Sequence, residues 1–407
     1  MKFSKIEIST ARGYFPALNR KIKGESLTFF DGPGGTQVPK RVINAISNYY
    51  RYYNTNTHGQ FQTSIETDKI IDDCRKNIAA FLGASGPAEI SIGQNMTTLN
   101  FALSNAFARI LQKGDEVVIT RLDHEANRGP WLSLRPHGIT VREVQLLPDG
   151  RLDYDDLIRK INENTRLLAI GWASNALGTV NDLVLARKLT YEVGAMMLVD
   201  GVHYAPHFPI QVQDIGMDFL LCSSYKFYGP HQGFLYAKPG ALDQLPVDRL
   251  NTQEQHAPYC IETGTLNHAS LAGVNASIAF LASLGKGNGL RERLGSAMKT
   301  INKHEQWLAK ILYKEIDAMD KFKIIGPDFK GSERAPTISF VHEDLHPVEV
   351  CRKLADQNIT AWDGHFYARK AIEVLGLAER GGVTRLGISL YNNENDIDRV
   401  TEVLKKI

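Results

Sequence analysis

Between Glu89 and Ala237, short runs of apolar and β-branched residues alternate with stretches whose apolar positions recur at helical spacing, the pattern of a mostly parallel sheet covered by helices on both faces. The runs Ser91-Ile92, Glu116–Thr120, Arg166–Ile170, Met196–Val199 and Phe219–Leu221 are predicted as its strands. Open sheets of this kind bind ligands beyond the carboxyl ends of their strands, so the residues that follow each run are the first candidates for a site. A helical stretch follows Gly264–Asn267, the segment Gly285–Gly289 breaks it, and a long amphipathic helix leads into a second region. That region carries predicted strands at Pro336–Phe340 and Thr384–Ser389 and a helix from near Pro347. The expected division is a large domain over residues 1–285 and a smaller C-terminal α/β domain over residues 286–407.

Composition narrows the class of function. The 407 residues carry a formal charge of +2, with 43% apolar and 23% charged residues, which is ordinary globular composition. No segment gathers basic residues with interleaved aromatics, so a nucleic-acid partner is not expected and a small molecule is. No stretch has the roughly 18 apolar residues needed to cross a bilayer, and Met1–Glu7 lacks the apolar core of a secretion signal, so a cytoplasmic location is expected. Cys74, Cys222, Cys260 and Cys351 lack metal-type spacing and read as reduced thiols, with no structural metal. Gly32-Pro33-Gly34-Gly35 precedes no lysine-serine pair and Gly285-Lys286-Gly287 follows no strand, so both read as turns rather than nucleotide cradles.

The chemistry concentrates at Lys226 and Asp200. Lys226 follows the strand over Phe219–Leu221, and Asp200 ends the strand before it. A lysine after a strand is by default a solvated cation. Paired with an aspartate on the same sheet edge, it can form a Schiff base with an aldehyde cofactor while the carboxylate keeps a pyridine nitrogen protonated, which points to pyridoxal 5'-phosphate. Asn95-Met96-Thr97 stands between a strand and a helical run, so the Met96 and Thr97 amides and the Thr97 hydroxyl can face a phosphate; an ordinary helix cap is the alternative. Arg385 interrupts an apolar strand and needs a carboxylate, either that of a substrate or one in a structural salt bridge.

Asp200-Gly201-Val202-His203, Ser223-Ser224-Tyr225-Lys226 and Gly229-Pro230 resemble the class V aminotransferase family of fold-type I pyridoxal phosphate enzymes, cysteine desulfurases in particular, and the likeness runs from Phe30–Gly35 to Arg385. The resemblance implies a fold-type I PLP-dependent transferase architecture with a mostly parallel seven-stranded sheet. It also implies roles for the remaining candidates: His124 over the pyridine face and able to move a proton, Asn175 and His203 near the phenolic oxygen, and Ser223 and Tyr225 at the phosphate. Thr265 would come from a partner subunit, which implies a homodimer with shared active sites, and Arg385 would clamp an amino-acid carboxylate, with Asn175 and His58 in the same pocket. Tyr225 departs from the family's usual histidine. The loop Gly364-His365-Phe366-Tyr367-Ala368 departs more seriously, because Tyr367 stands where persulfide-forming desulfurases carry their cysteine. A phenol cannot hold a persulfide. Cys260 is the one thiol near a candidate segment, and a small buried hydrophobe is its default reading.

The implied activity is a PLP-dependent C–S lyase that β-eliminates sulfur from a cysteine-like amino acid through a Cα carbanion. Transamination and epimerisation use the same carbanion, and a non-catalytic PLP-binding scaffold is the reading of another class.

Overall fold

The computed structural model describes residues 6–331 and 333–407; Met1–Lys5, part of the stretch read above for a secretion signal, lie outside the described residues. The large sheet has seven strands: β1 (Ile90–Gly93), β2 (Glu116–Thr120), β3 (Thr140–Val144), β4 (Thr165–Gly171), β5 (Met196–Asp200), β6 (Phe219–Ser223) and β7 (Gly233–Ala237). Their order is β1-β7-β6-β5-β4-β2-β3, with β6 through β3 mutually parallel and β7 antiparallel to both of its neighbours. β3 and β7 were not among the predicted strands. β3 is an edge strand with exposed and buried residues mixed, so its apolar signal is weak.

Alternation along each central strand feeds two cores. Leu167, Ala169, Leu198 and Leu221 point to one face, where Leu103 and Phe107 pack on them; Leu168, Ile170, Val199 and Leu220 point to the other. Strands buried on both faces read as continuous apolar runs, which is why they were legible. On the first face lies α1 (Met96–Ala108), capped by the Asn95 side chain, which accepts from the Thr98 amide at 2.9 Å.

A second sheet comprises β8 (Phe322–Ile325), β9 (Thr337–His342), β10 (Trp362–Gly364) and β11 (Val383–Gly387), antiparallel in the order β8-β9-β11-β10. It packs on α2 (Leu290–Asp317), α3 (Pro347–Asp356) and α4 (Glu394–Leu404) through Leu308, Leu312, Phe340, Val350, Leu386 and Val400. An N-terminal segment joins this unit: Thr28-Phe29 pairs in parallel with Ile359-Thr360, Phe30 enters the same core, and its carbonyl accepts from the Gly387 amide at 2.8 Å. The chain then runs directly to Pro33 beside Lys226, so the two sheets meet at the site.

One close approach fixes the start of α1 against the sheet. A Cβ on Gly233 of β7 would lie 2.4 Å from the Asn95 carbonyl carbon. Gly233→Ala is expected to destabilise the protein by roughly 1–3 kcal/mol, read as a lowered thermal midpoint; an unchanged midpoint would contradict this packing.

Candidate active site

The carboxyl ends of β2, β4, β5 and β6 and the first turn of α1 enclose a pocket. Lys226, Asp200, His203, His124, Met96, Thr97, Asn175, Ser223 and Tyr225 all line it. Lys226 ends the short helical turn Ser224–Lys226 after β6, and Asp200 is the last residue of β5. The segment after Phe30 holds this turn from outside: the Lys226 amine donates to the Pro33 carbonyl, and the Thr36 amide donates to the Tyr225 carbonyl at 3.0 Å.

Burial dominates the electrostatics. It pushes the Lys226 amine down to about 7, helped by the nearby Arg385 cation and opposed by Asp200. Asp200 is pushed up to about 7, again by burial, with Asp123 reinforcing the effect and the Val202 amide and Lys226 opposing it. The Val202 amide, at 2.9 Å, is the one hydrogen-bond partner of the Asp200 carboxyl among the described residues. Asp200 is therefore a buried carboxyl without the close cation that would hold it ionised. Asp123, not named by the sequence reading, is also buried and raised to about 6; it accepts from the Gly171 amide at 3.0 Å and the Asn127 side chain at 2.9 Å.

His124 accepts from the Ala126 amide through Nδ1 at 3.0 Å, so its neutral ring carries the proton on Nε2. Burial, with Lys226 and Arg385 nearby, lowers it to about 4, and it is neutral at pH 7. His203 shares a hydrogen bond with Thr337 at 3.0 Å through Nε2, while its buried Nδ1 has no partner. At the other end of the pocket the Met96 amide donates to the Ser223 hydroxyl at 3.1 Å. The amide and hydroxyl of Thr97 have no partner among the described residues, which leaves donors at a helix N-terminus pointing into the cavity. Tyr225 stacks on His231 with ring centroids 4.6 Å apart.

An outer chamber of about 570 Å³ opens above, sharing Thr97, His124, Asn175, Tyr225 and Lys226 and adding Arg385, Phe366 and Tyr367. Arg385 donates to the Asn175 carbonyl at 2.9 Å and lies 3.8 Å from the centre of the Phe366 ring. It forms no ion pair among the described residues, its buried Nε is unpartnered, and burial lowers it to about 9 against the opposing charge of Asp31. The structural salt bridge considered as the alternative is thus absent there, and the guanidinium is free for an incoming carboxylate. Tyr367 stacks on His124 with centroids 5.3 Å apart.

Two expected residues are not gathered. Thr265 and His58 line a different pocket, with Asp68, Arg75 and Glu262. His58 has 88% of its side chain exposed and its amide bonds to Asp68, which corrects the expectation that it lines the Arg385 pocket within one chain. All four cysteines are buried, and none lines either chamber. Burial raises the Cys74, Cys222 and Cys260 thiols and pushes Cys351 up to about 12, so none is a ready thiolate.

The reading of the sequence missed Pro33 and a buried support beneath the lysine turn. Tyr228 and His207 both bond to Glu305, at 3.3 and 2.7 Å, and Glu305 is fully buried on α2. The available signal was an acid at a core position of an amphipathic helix, four residues after Ile301.

The donor set fits pyridoxal phosphate. A buried carboxyl lacks a close cation, an amine is neutral in part at pH 7, His203 Nδ1 is unpaired, and free donors stand at a helix N-terminus.

Comparison with known proteins agrees. The sequence matches the family model for "Aminotransferase class-V" across residues 28–400. A probable cysteine desulfurase of Halalkalibacterium halodurans is 31% identical over 96% of each chain, and a cysteine desulfurase of Serratia proteamaculans is 29% identical over 98% of each. The apo structure of a cysteine desulfurase from Thermococcus onnurineus superposes with a TM-score of 0.89 at 26% identity, covering 100% of this chain and 99% of that one. The chain belongs to the class V aminotransferase family and is a pyridoxal phosphate-dependent enzyme of cysteine desulfurase-like type.

Proposed function

We propose that the protein is a C–S lyase that removes the Cα proton of a cysteine-like amino acid and expels sulfur from Cβ without a persulfide on the protein. The observation that carries this reading is the pairing of an amine and carboxyl pocket with a chamber that offers Tyr367, and no thiol, to the leaving sulfur. When bound, pyridoxal phosphate supplies an electron sink for charge developing at Cα. Asp200 would face its ring nitrogen, His124 its ring face, His203 and Asn175 its phenolic oxygen, and Thr97, Met96, Ser223 and Tyr225 its phosphate; Lys226 presents the amine its aldehyde requires. Arg385 would hold the substrate carboxylate in bidentate fashion. Lys226 is the proton acceptor at Cα, since an amine lowered to about 7 has a neutral fraction at working pH. His124, neutral at that pH, can donate from Nε2.

A homodimer forms part of the proposal. Thr265 and His58 sit together outside this chain's pocket, which supports their use by a second copy.

Turnover gives the first test. Cysteine-like amino acids should yield pyruvate and ammonia, with no sulfur added to any of the four cysteines by mass spectrometry. Cys260→Ala should leave the pyruvate rate unchanged, and Lys226→Ala should lower it by about 10²–10⁴-fold or more. A persulfide on Cys260 that its substitution removes would refute the reading; deuterium exchange at Cα without pyruvate would indicate epimerisation, and release of an intact keto acid would indicate transamination.

The Asp200 environment gives a second test in cofactor-free protein. Its folded value is raised from 3.8 to about 7, so the folded chain keeps a proton that the unfolded chain loses across that window. The stability contribution of Asp200 therefore falls as pH rises from about 4 to 7. Asp200→Asn lacks this loss and should gain on the wild type over the same window, by on the order of 4 kcal/mol at most, measured as urea midpoints at each pH. A difference independent of pH would contradict the burial argument.

A further inference from the structure

We propose that the outer chamber selects a cysteine whose sulfur carries a neutral aromatic substituent, in preference to free cysteine. This rests on the elimination reading above and specifies its substrate.

The walls carry the inference. Phe101, Trp362, Phe366 and Tyr367 converge on the chamber around Arg385. Phe101, Trp362 and Tyr367 are 42%, 52% and 68% exposed, so large apolar surface faces the opening without a cover of its own. Aromatic walls of this kind favour an aromatic guest through stacked and edge contacts.

These rings are held in place rather than carried on a loose loop. Phe366 and Tyr367 both adopt left-handed backbone, at φ 51° and 59°, a conformation that non-glycine residues rarely take and that tends to persist at functional sites. Three hydrogen bonds hold it: the Asn175 side chain to the Phe366 carbonyl at 2.8 Å, the Glu125 amide to the Tyr367 carbonyl at 2.7 Å, and the Tyr367 amide to His365 Nδ1 at 3.1 Å. Trp362 lies against Gly34, where a Cβ would come within 2.9 Å of the indole nitrogen, so the absence of a side chain there makes room for the ring.

Charge and size set the substituent. Arg385 takes the carboxylate, and Glu125, the one acid lining the chamber, is paired with Arg128 at 3.1 Å. With Lys226 engaged by the cofactor, no further charged side chain of this chain lines the chamber among the described residues. At about 570 Å³ the chamber is of the size that holds whole drug-like ligands, and free cysteine would leave the aromatic walls wet.

The reaction balances without an oxidant. The Cα–H bond breaks and its proton passes to Lys226, its electron pair forms the Cα–Cβ double bond, and the Cβ–S bond breaks with its pair on sulfur. The sulfur takes up a proton and leaves as an aryl thiol, while the three-carbon enamine and one water give pyruvate and ammonium.

Two measurements test the proposal on the holoprotein. S-phenylcysteine should release pyruvate and thiophenol with a kcat/KM at least about tenfold that for pyruvate from cysteine. Homophenylalanine, its carbon analogue without a leaving group, should bind at least about tenfold tighter than 2-aminobutyrate by calorimetry, and Trp362→Ala should erode that preference. Equal binding of the two analogues, or a preference untouched by Trp362→Ala, overturns the aromatic-chamber proposal. If cysteine then still yields pyruvate, the elimination reading survives alone; if no sulfur amino acid yields pyruvate, that reading fails and takes this one with it.

Discussion

An amine and a carboxyl group share one buried pocket in this protein, and neither is charged in full. Lys226 and Asp200 each lose more to burial than they recover from the other, so both titrate near neutrality. Such a pair is costly to bury and contributes little to folding on its own account. What repays that cost is a bound group with an aldehyde for the amine and a cation for the carboxylate. The sheet places the two side chains at the ends of adjacent parallel strands, and the Pro33 carbonyl fixes the amine from above.

The surrounding architecture serves to close that pocket from a second direction. Phe30 is anchored in the core of the second sheet and Arg385 lies on its strand β11, so both the segment over Lys226 and the cation for the substrate come from that sheet. Any relative movement of the two sheets would move Arg385 and Pro33 together relative to Lys226. Beneath, Glu305 links the second sheet's long helix to the lysine turn through Tyr228 and to His203's neighbour His207. In the loop over the outer chamber Tyr367 covers His124, and the four thiols lie elsewhere, buried.

Much of this was readable from residues alone, for a physical reason. Central parallel strands are apolar on both faces, so β2, β4, β5 and β6 announced themselves, and the residues just after them had to be the site. Lys226 and Asp200 were found by that rule, Thr97 by its place between β1 and a helix, and His124 and Asn175 through the resemblance to the family. Asp123 obeys the same rule but was passed over beside His124. β3 and β7 were lost because the edge strand is only partly buried and the β7 run lies among turn residues. His58 does not lie in the Arg385 pocket of its own chain: it stands on an exposed turn beside Thr265, a placement that its sequence neighbours did not reveal. Phe366 and Tyr367 could be named as loop side chains, but their left-handed backbone and the directions of their rings depend on hydrogen bonds from Asn175 and Glu125 that are distant in sequence.

The central claim is that the Lys226 amine is the one that engages pyridoxal phosphate above Asp200. Borohydride reduction of the holoprotein followed by peptide mapping tests it directly. The account requires the reduced cofactor to be found on the peptide containing Lys226, and on no other lysine. Recovery of the label elsewhere, or a protein that takes up none after saturation with the cofactor, would contradict it.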